Sequence, residues 1–195
     1  MNYLAHIYLS GTDEELMIGN FLGDHVRGNQ FPNLTKRMVD GIYLHRFIDT
    51  FTDSHEIVRE SKLRLRPNYG KYASVIVDIY YDHFLAYNWK NYHEMSLPSY
   101  TKKIYGILNK HHERLPERTK MVLSHMSEHN WLLNYAELEG MEKALRGISK
   151  RTKFESNIDK SIHELKEYYT EFEKEFSEFF PDLIKAVEDK SGVKV

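Results

Sequence analysis

Apolar residues recur every three or four positions along nearly the whole chain, the period of helices packed on one side. Thr12-Asp13-Glu14-Glu15 has the spacing of a capping box, with Thr12 as cap and Glu15 reaching back. Leu16, Ile18, Phe21 and Leu22 then form an apolar side, and Gly28 closes the segment. A second helix is expected after Pro32, where Leu34, Met38, Ile42, His45 and Asp49 share a face. Asp53-Ser54 predicts the cap of a third helix, ended by Pro67. The run from about Tyr69 to Trp89 is locally β-branched but too long for a strand, so a fourth helix is expected. Ser99 and Pro116-Glu117 open two more, and Gly140 and Gly147 punctuate a short one. A long charged amphipathic helix is expected from about Asn157, with Pro181 kinking or restarting it. There is no strand pair, repeat or low-complexity linker, and the only plausible joint is Arg151 to Ser156. The pattern predicts an all-α fold, a single-domain helical bundle over residues 1–195.

Composition narrows this reading. A chain of 195 residues can bury a core without staples. It has no cysteine, which removes disulfides and thiolate zinc sites and fits a reducing compartment. A formal charge of −2 points to no nucleic acid and no membrane partner. The start, M-N-Y-L-A-H-I-Y-L-S-G, lacks the basic residues of a signal peptide. No run reaches the roughly 20 apolar residues of a membrane span. The expectation is a soluble cytoplasmic protein. Eleven histidines and fourteen tyrosines hint at polar chemistry within aromatic packing.

That chemistry is visible in V-I-V-D-I-Y-Y-D-H-F-L, Val75 to Leu85, which sets Asp78, Asp82 and His83 in core material. Burying an unpaired carboxylate costs several kcal/mol. On a helix Asp78 and Asp82 lie about 40° apart, and His45 and Asp49 repeat the four-residue spacing. Two helices presenting such pairs could enclose a divalent cation that offsets the burial cost. Caps or satisfied core polar groups would explain the same residues. His6 and Asp24 add polar groups amid apolar ones. His125 and His129 have H-x-x-x-H spacing, but their polar context, S-H-M-S-E-H-N, reads as a solvated face. His111-His112 reads as surface. Arg59, Lys62, Arg64, Arg66 and Lys71, against Glu60 alone, form either a solvated face or a strip that docks an acidic partner.

M-N-Y-L-A-H, G-N-F-L-G-D-H-V-R-G, G-I-Y-L-H-R-F-I-D-x-F-T-D, D-I-Y-Y-D-H-F-L and Trp89, in this order, resemble the acyl carrier protein phosphodiesterase family. The likeness thins afterwards to W-L-x-x-Y at Trp131, G-x-x-x-R at Gly147 and F-F-P near Pro181. The resemblance implies a fold related to HD phosphohydrolases, although the order of histidines and aspartates departs from the usual HD layout. It implies hydrolysis of the 4′-phosphopantetheine–serine diester of holo-acyl carrier protein, a step in lipid metabolism, with a divalent metal, manganese being the family's associate. By motif position it makes Asp78 and His83 catalytic. It makes His6, Asp24, His45, Asp49 and Asp82 metal ligands, and Arg27, Arg46 and Arg151 substrate-binding. Two other readings stay open: an HD-like phosphohydrolase of small phosphorylated metabolites or nucleotides, and a non-catalytic helical module that binds carrier protein. The oligomeric state is not encoded in these patterns.

Overall fold

A computed structural model describes residues 1–28 and 33–195, and among these every regular element is a helix. In chain order they are α1 (Tyr3–Tyr8), α2 (Glu14–Leu22), α3 (Lys36–Ser54), α4 (Glu56–Tyr69), α5 (Ala73–Tyr87) and α6 (Leu97–Lys110). There follow α7 (Glu117–Glu128), α8 (Trp131–Asn134), α9 (Leu138–Ser149), α10 (Ile162–Glu167) and α11 (Tyr169–Ser191). They form one all-α domain. No helix among the described residues is long and apolar enough to cross a membrane.

The core centres on α5. Its Tyr80, Tyr81 and Phe84 are fully buried against Phe172, Phe176 and Phe179 of α11. Tyr80 meets Phe172 edge-on at 5.0 Å between ring centroids, and Tyr81 meets Phe176 at 5.5 Å, a favourable aromatic geometry. Burying such a side chain stabilises the fold by roughly 1.5–3 kcal/mol. This is why β-branched Val75 to Val77 are held in a helix despite their local preference: helical stability here comes from tertiary packing.

Helices α2 and α3 cross with their backbones nearly touching. A Cβ on Gly19 would lie 1.9 Å from the Met38 carbonyl oxygen, and one on Gly41 would lie 2.2 Å from that of Leu16. Only glycine at both places permits the crossing. Gly23, in the 3₁₀ turn Gly23–His25 after α2, leaves the space that the His45 ring fills; a Cβ there would sit 2.1 Å from the imidazole.

Several expected boundaries shift. The cap of α2 is Asp13, not Thr12, because its carboxylate accepts from the Leu16 amide at 3.0 Å and also holds Arg37 at 2.7 Å. Pro32 lies outside the described residues, and α3 is capped by Thr35, which accepts from the Met38 amide. Asp53 and Ser54 cap nothing. The Asp53 carboxylate takes Lys62 at 2.6 Å, and α4 starts after an extended His55. Pro67 sits inside α4, which runs on to Tyr69 and is ended by Gly70 at a left-handed φ of 52°. The last segment breaks at Tyr168, dividing α10 from α11. Pro181 neither kinks α11 into two elements nor starts a new one. Buried Phe176, Phe179, Phe180 and Leu183 on both sides of it outweigh the one lost backbone hydrogen bond.

Candidate active site

The glycine crossing brings Asn20 of α2 against both His6 of α1 and His45 of α3. The Asn20 side-chain NH₂ donates to the His6 carbonyl at 2.7 Å and to Ser10 Oγ at 3.0 Å. Its Oδ1 is therefore the atom 2.8 Å from His6 Nδ1, and it accepts the proton carried there. The Asn20 backbone carbonyl, which can only accept, lies 3.0 Å from His45 Nδ1. Both histidines thus carry their proton on Nδ1 when neutral, and both turn Nε2 toward α3's Asp49. His6 Nε2 is 3.1 Å from Asp49 Oδ1, and His45 Nε2 is 3.1 Å from Oδ2. The two rings stack at 4.0 Å between centroids. Asp24, in the turn after α2, stands 3.4 Å from His45 Nε2. The histidines are buried, whereas Asp24 and Asp49 are 49% and 43% exposed, so the cluster opens to solvent through its carboxylates.

Electrostatics follow from this layout. Burial, helped by the neighbouring His45, pulls His6 down to about 4. Burial works against charge on His45 too, but hydrogen bonds to Asp24 and Asp49 outweigh it and raise it to about 9. Burial opposes the charge of Asp49, yet the two histidines and the Met1 ammonium hold it well below the usual carboxylate range. One ligand atom each from His6, His45 and Asp49 lies within 4.8 Å of the others. Two imidazoles with Nδ1 engaged and one carboxylate facing the same point form a donor set that suits a first-row divalent metal.

Asp78, Asp82 and His83 are arranged differently from expectation. They are not part of the His6, His45 and Asp49 donor set. Asp82 is fully buried and caps α1 from across the fold: Oδ1 accepts from the Asn2 and Ala5 amides at 3.1 and 3.3 Å, and Oδ2 from Leu4 at 2.7 Å. Burial still pushes its carboxyl up to about 7. Asp78 binds the Met1 ammonium at 2.7 Å, and that ammonium is 4.0 Å from Asp49. His83 Nδ1 donates to the Tyr135 carbonyl at 2.7 Å, and its Nε2 accepts from the Tyr169 hydroxyl at 2.9 Å. With both nitrogens occupied and 1% of its surface exposed, His83 is built into the junction of α5, α8 and α11. Asp78, Asp82 and His83 thus lie outside the His6, His45 and Asp49 donor set, each with partners of its own. An ammonium, backbone amides and a tyrosine hydroxyl offset part of the burial cost, and burial still raises both carboxyls.

The sequence matches the family model described as acyl carrier protein phosphodiesterase over residues 1–183. It is 30% identical to the acyl carrier protein phosphodiesterase of Photorhabdus laumondii, covering 97% of this chain and 96% of the relative. The proteins of that name from Yersinia enterocolitica and Serratia proteamaculans are also 30% identical, over 97% of this chain and 99% of theirs. The chain belongs to the acyl carrier protein phosphodiesterase family. It is an enzyme of that family, which is one of hydrolases. No solved structure matches it.

Within the family motifs, the arginines lie outside the His6, His45 and Asp49 donor set. Arg27 and Arg151 are exposed. Arg151 donates through Nε to the Gly147 carbonyl, and its charge reaches Tyr3 and His25, beside Asp24. Arg118 of α7, not singled out by sequence, acts on the same two side chains. Arg46 donates to the Gly28 carbonyl at 2.7 Å.

The expected docking strip is only partly a surface. Lys62 is buried on Asp53, and Arg64 forms a two-pronged pair with Glu175 at 2.8 and 2.7 Å over the Phe172 ring. Their charges hold α4 to the end of α3 and to α11. Arg59, Arg66 and Lys71 remain exposed, with Lys71 lying over the Tyr72 and Phe154 rings. Asn20 is the residue that sequence reasoning missed. Its one signal was an amide inside the apolar run L-M-I-G-N-F-L.

Proposed function

We propose that this protein hydrolyses the phosphodiester joining 4′-phosphopantetheine to a serine of holo-acyl carrier protein. Water oxygen forms the new bond to phosphorus, and the phosphorus–oxygen bond to serine breaks. The products are apo-carrier protein, its serine reprotonated, and free 4′-phosphopantetheine. The observation that carries the reading is the convergence of His6, His45 and Asp49 at a cluster open on its carboxylate side, in a chain whose relatives bear that enzyme's name. His6, His45 and Asp49 would hold a divalent metal, Mn²⁺ by preference of the resemblance, with Asp24 beside them. When bound, such an ion supplies Lewis acidity and lowers the pKa of water. The chain's own groups do the rest. Asn20 fixes both imidazoles so that only Nε2 faces the reacting space. Asp24 stands where a proton from water can be taken up. Arg27 and Arg151 offer guanidinium groups to the phosphate oxygens, where bidentate pairing gives orientation as well as charge.

The test is incubation with Mn²⁺ and holo-carrier protein, following the carrier's mass. Loss of the phosphopantetheine mass, abolished by chelator and by Asp49→Asn, is the expected result. An unchanged carrier mass with any divalent metal overturns the proposal.

A further inference from the structure

Away from the site just described, one group of side chains has no role in the fold. At the end of α7, His125 and His129 are one helical turn apart, with Glu128 between them in sequence. Their imidazoles lie nearly parallel, 13° between planes and 6.3 Å between centroids. One ligand atom from each of His125, Glu128 and His129 lies within 4.8 Å of the others, and all three residues are exposed. Among the described residues, no hydrogen bond or ion pair occupies either imidazole or the carboxylate.

We propose that the last turn of α7 is a second metal site, formed by His125, Glu128 and His129, that takes a late first-row divalent cation: Zn²⁺, Ni²⁺ or Cu²⁺. The spacing is the reason for the first two ligands. Residues four apart on a helix project from one side, so two imidazoles can reach one ion by side-chain rotation alone. The backbone beneath them is fixed. The His129 amide donates to the His125 carbonyl at 3.1 Å, Asn130 ends the helix at a left-handed φ of 47°, and the Asn134 side chain donates to the His129 carbonyl at 2.7 Å. The position favours a cation twice over, since the helix terminus carries partial negative charge and Glu128 adds a full one.

Ligand chemistry sets the selectivity. Two imidazoles with one carboxylate suit zinc, copper and nickel, whereas magnesium and calcium prefer all-oxygen sites. Three protein ligands leave one tetrahedral position to water or to a donor from another molecule, so the site is exchangeable rather than structural. It also differs from the His6, His45 and Asp49 cluster in burial. Those histidines are enclosed and oriented by Asn20, whereas His125 and His129 face solvent.

Zinc titration by calorimetry on the full chain tests this, comparing wild type with the double variant His125→Ala/His129→Ala and with Glu128→Gln. The double variant should bind one Zn²⁺ fewer per chain, with an unchanged metal-free unfolding midpoint because the side chains are exposed and unpartnered. Glu128→Gln should keep the stoichiometry and bind that ion about tenfold more weakly, the lower end of what disturbing a metal's supporting groups costs. With Cu²⁺, the electron paramagnetic resonance spectrum of the wild type should show coupling to two nitrogens that the double variant lacks. Equal Zn²⁺ stoichiometry and affinity in wild type and double variant overturns the site. Unaltered affinity in Glu128→Gln overturns the three-ligand assignment.

Discussion

Asn20 decides which nitrogen each histidine of the cluster presents. Its side-chain oxygen and its own backbone carbonyl accept from the two Nδ1 atoms, so one residue sets two tautomers and two ring orientations. Replacing it with leucine should free the His6 ring to turn while preserving volume, and should keep the backbone carbonyl that holds His45. Divalent-metal affinity at the cluster should fall by about 10–100-fold, as measured by Mn²⁺ titration. Leucine should also leave the His6 carbonyl and Ser10 short of a donor, a cost of about 1–3 kcal/mol in urea unfolding. Wild-type affinity in a folded variant would show that the His6 ring is positioned by packing alone. Asp82 shows the complementary case at this scale. Its burial resembles that of a ligand, but its three partners are amides two to five residues from the chain's start.

Among the elements, α1 is a short helix that cannot hold itself. Six residues are too few for an independent helix, its own N-cap Asn2 makes no side-chain cap bond, and its capping carboxylate comes from α5. Asp82→Ala should therefore cost about 3 kcal/mol, above a surface cap and near the value for breaking a buried polar pair. Denaturant unfolding measures it. A loss below about 0.5 kcal/mol would mean that apolar contacts of Leu4 and Ile7 suffice to seat α1. This is also where the limits of reading sequence lie. The period of apolar residues gave every long helix, because a buried stripe imposes it wherever it occurs. Asp78, Asp82, His45 and Asp49 stood out because polar groups in such stripes need partners. Which partners they take depends on what crosses them, and the crossing is set by Gly19 and Gly41, whose pairing leaves no one-dimensional trace. Prolines misled for a related reason. Pro67 and Pro181 carry a local penalty, and neighbouring burial of Leu65, Phe179, Phe180 and Leu183 decides against it.

Across the whole molecule, charge is sorted between holding and facing outward. Arg64 and Lys62 hold helices together, and Arg59, Arg66 and Lys71 face solvent on α4 and just beyond it. If the carrier protein docks there, Arg59→Glu with Arg66→Glu should raise KM for holo-carrier by several-fold at low salt and leave kcat nearly unchanged. The difference should shrink as salt rises, since screening acts within about 10 Å at 0.1 M. Steady-state kinetics at two ionic strengths checks this, and an equal KM in both proteins removes the strip as a docking surface. Arg64→Glu belongs to another class: facing Glu175, it should lower stability, and any kinetic loss would follow from that.

The cap that α5 lends to α1 has a consequence in time. During synthesis α1 leaves the ribosome before α5, and the carboxylate that seats it lies 78 residues later in the chain. At about 5–20 residues per second, His6 waits roughly 4–16 s before its helix has an anchor. The seating of His6 beside His45 and Asp49 is therefore acquired late, after Asp82 has emerged, and a nascent chain stalled before that point carries His45 and Asp49 without an anchored His6.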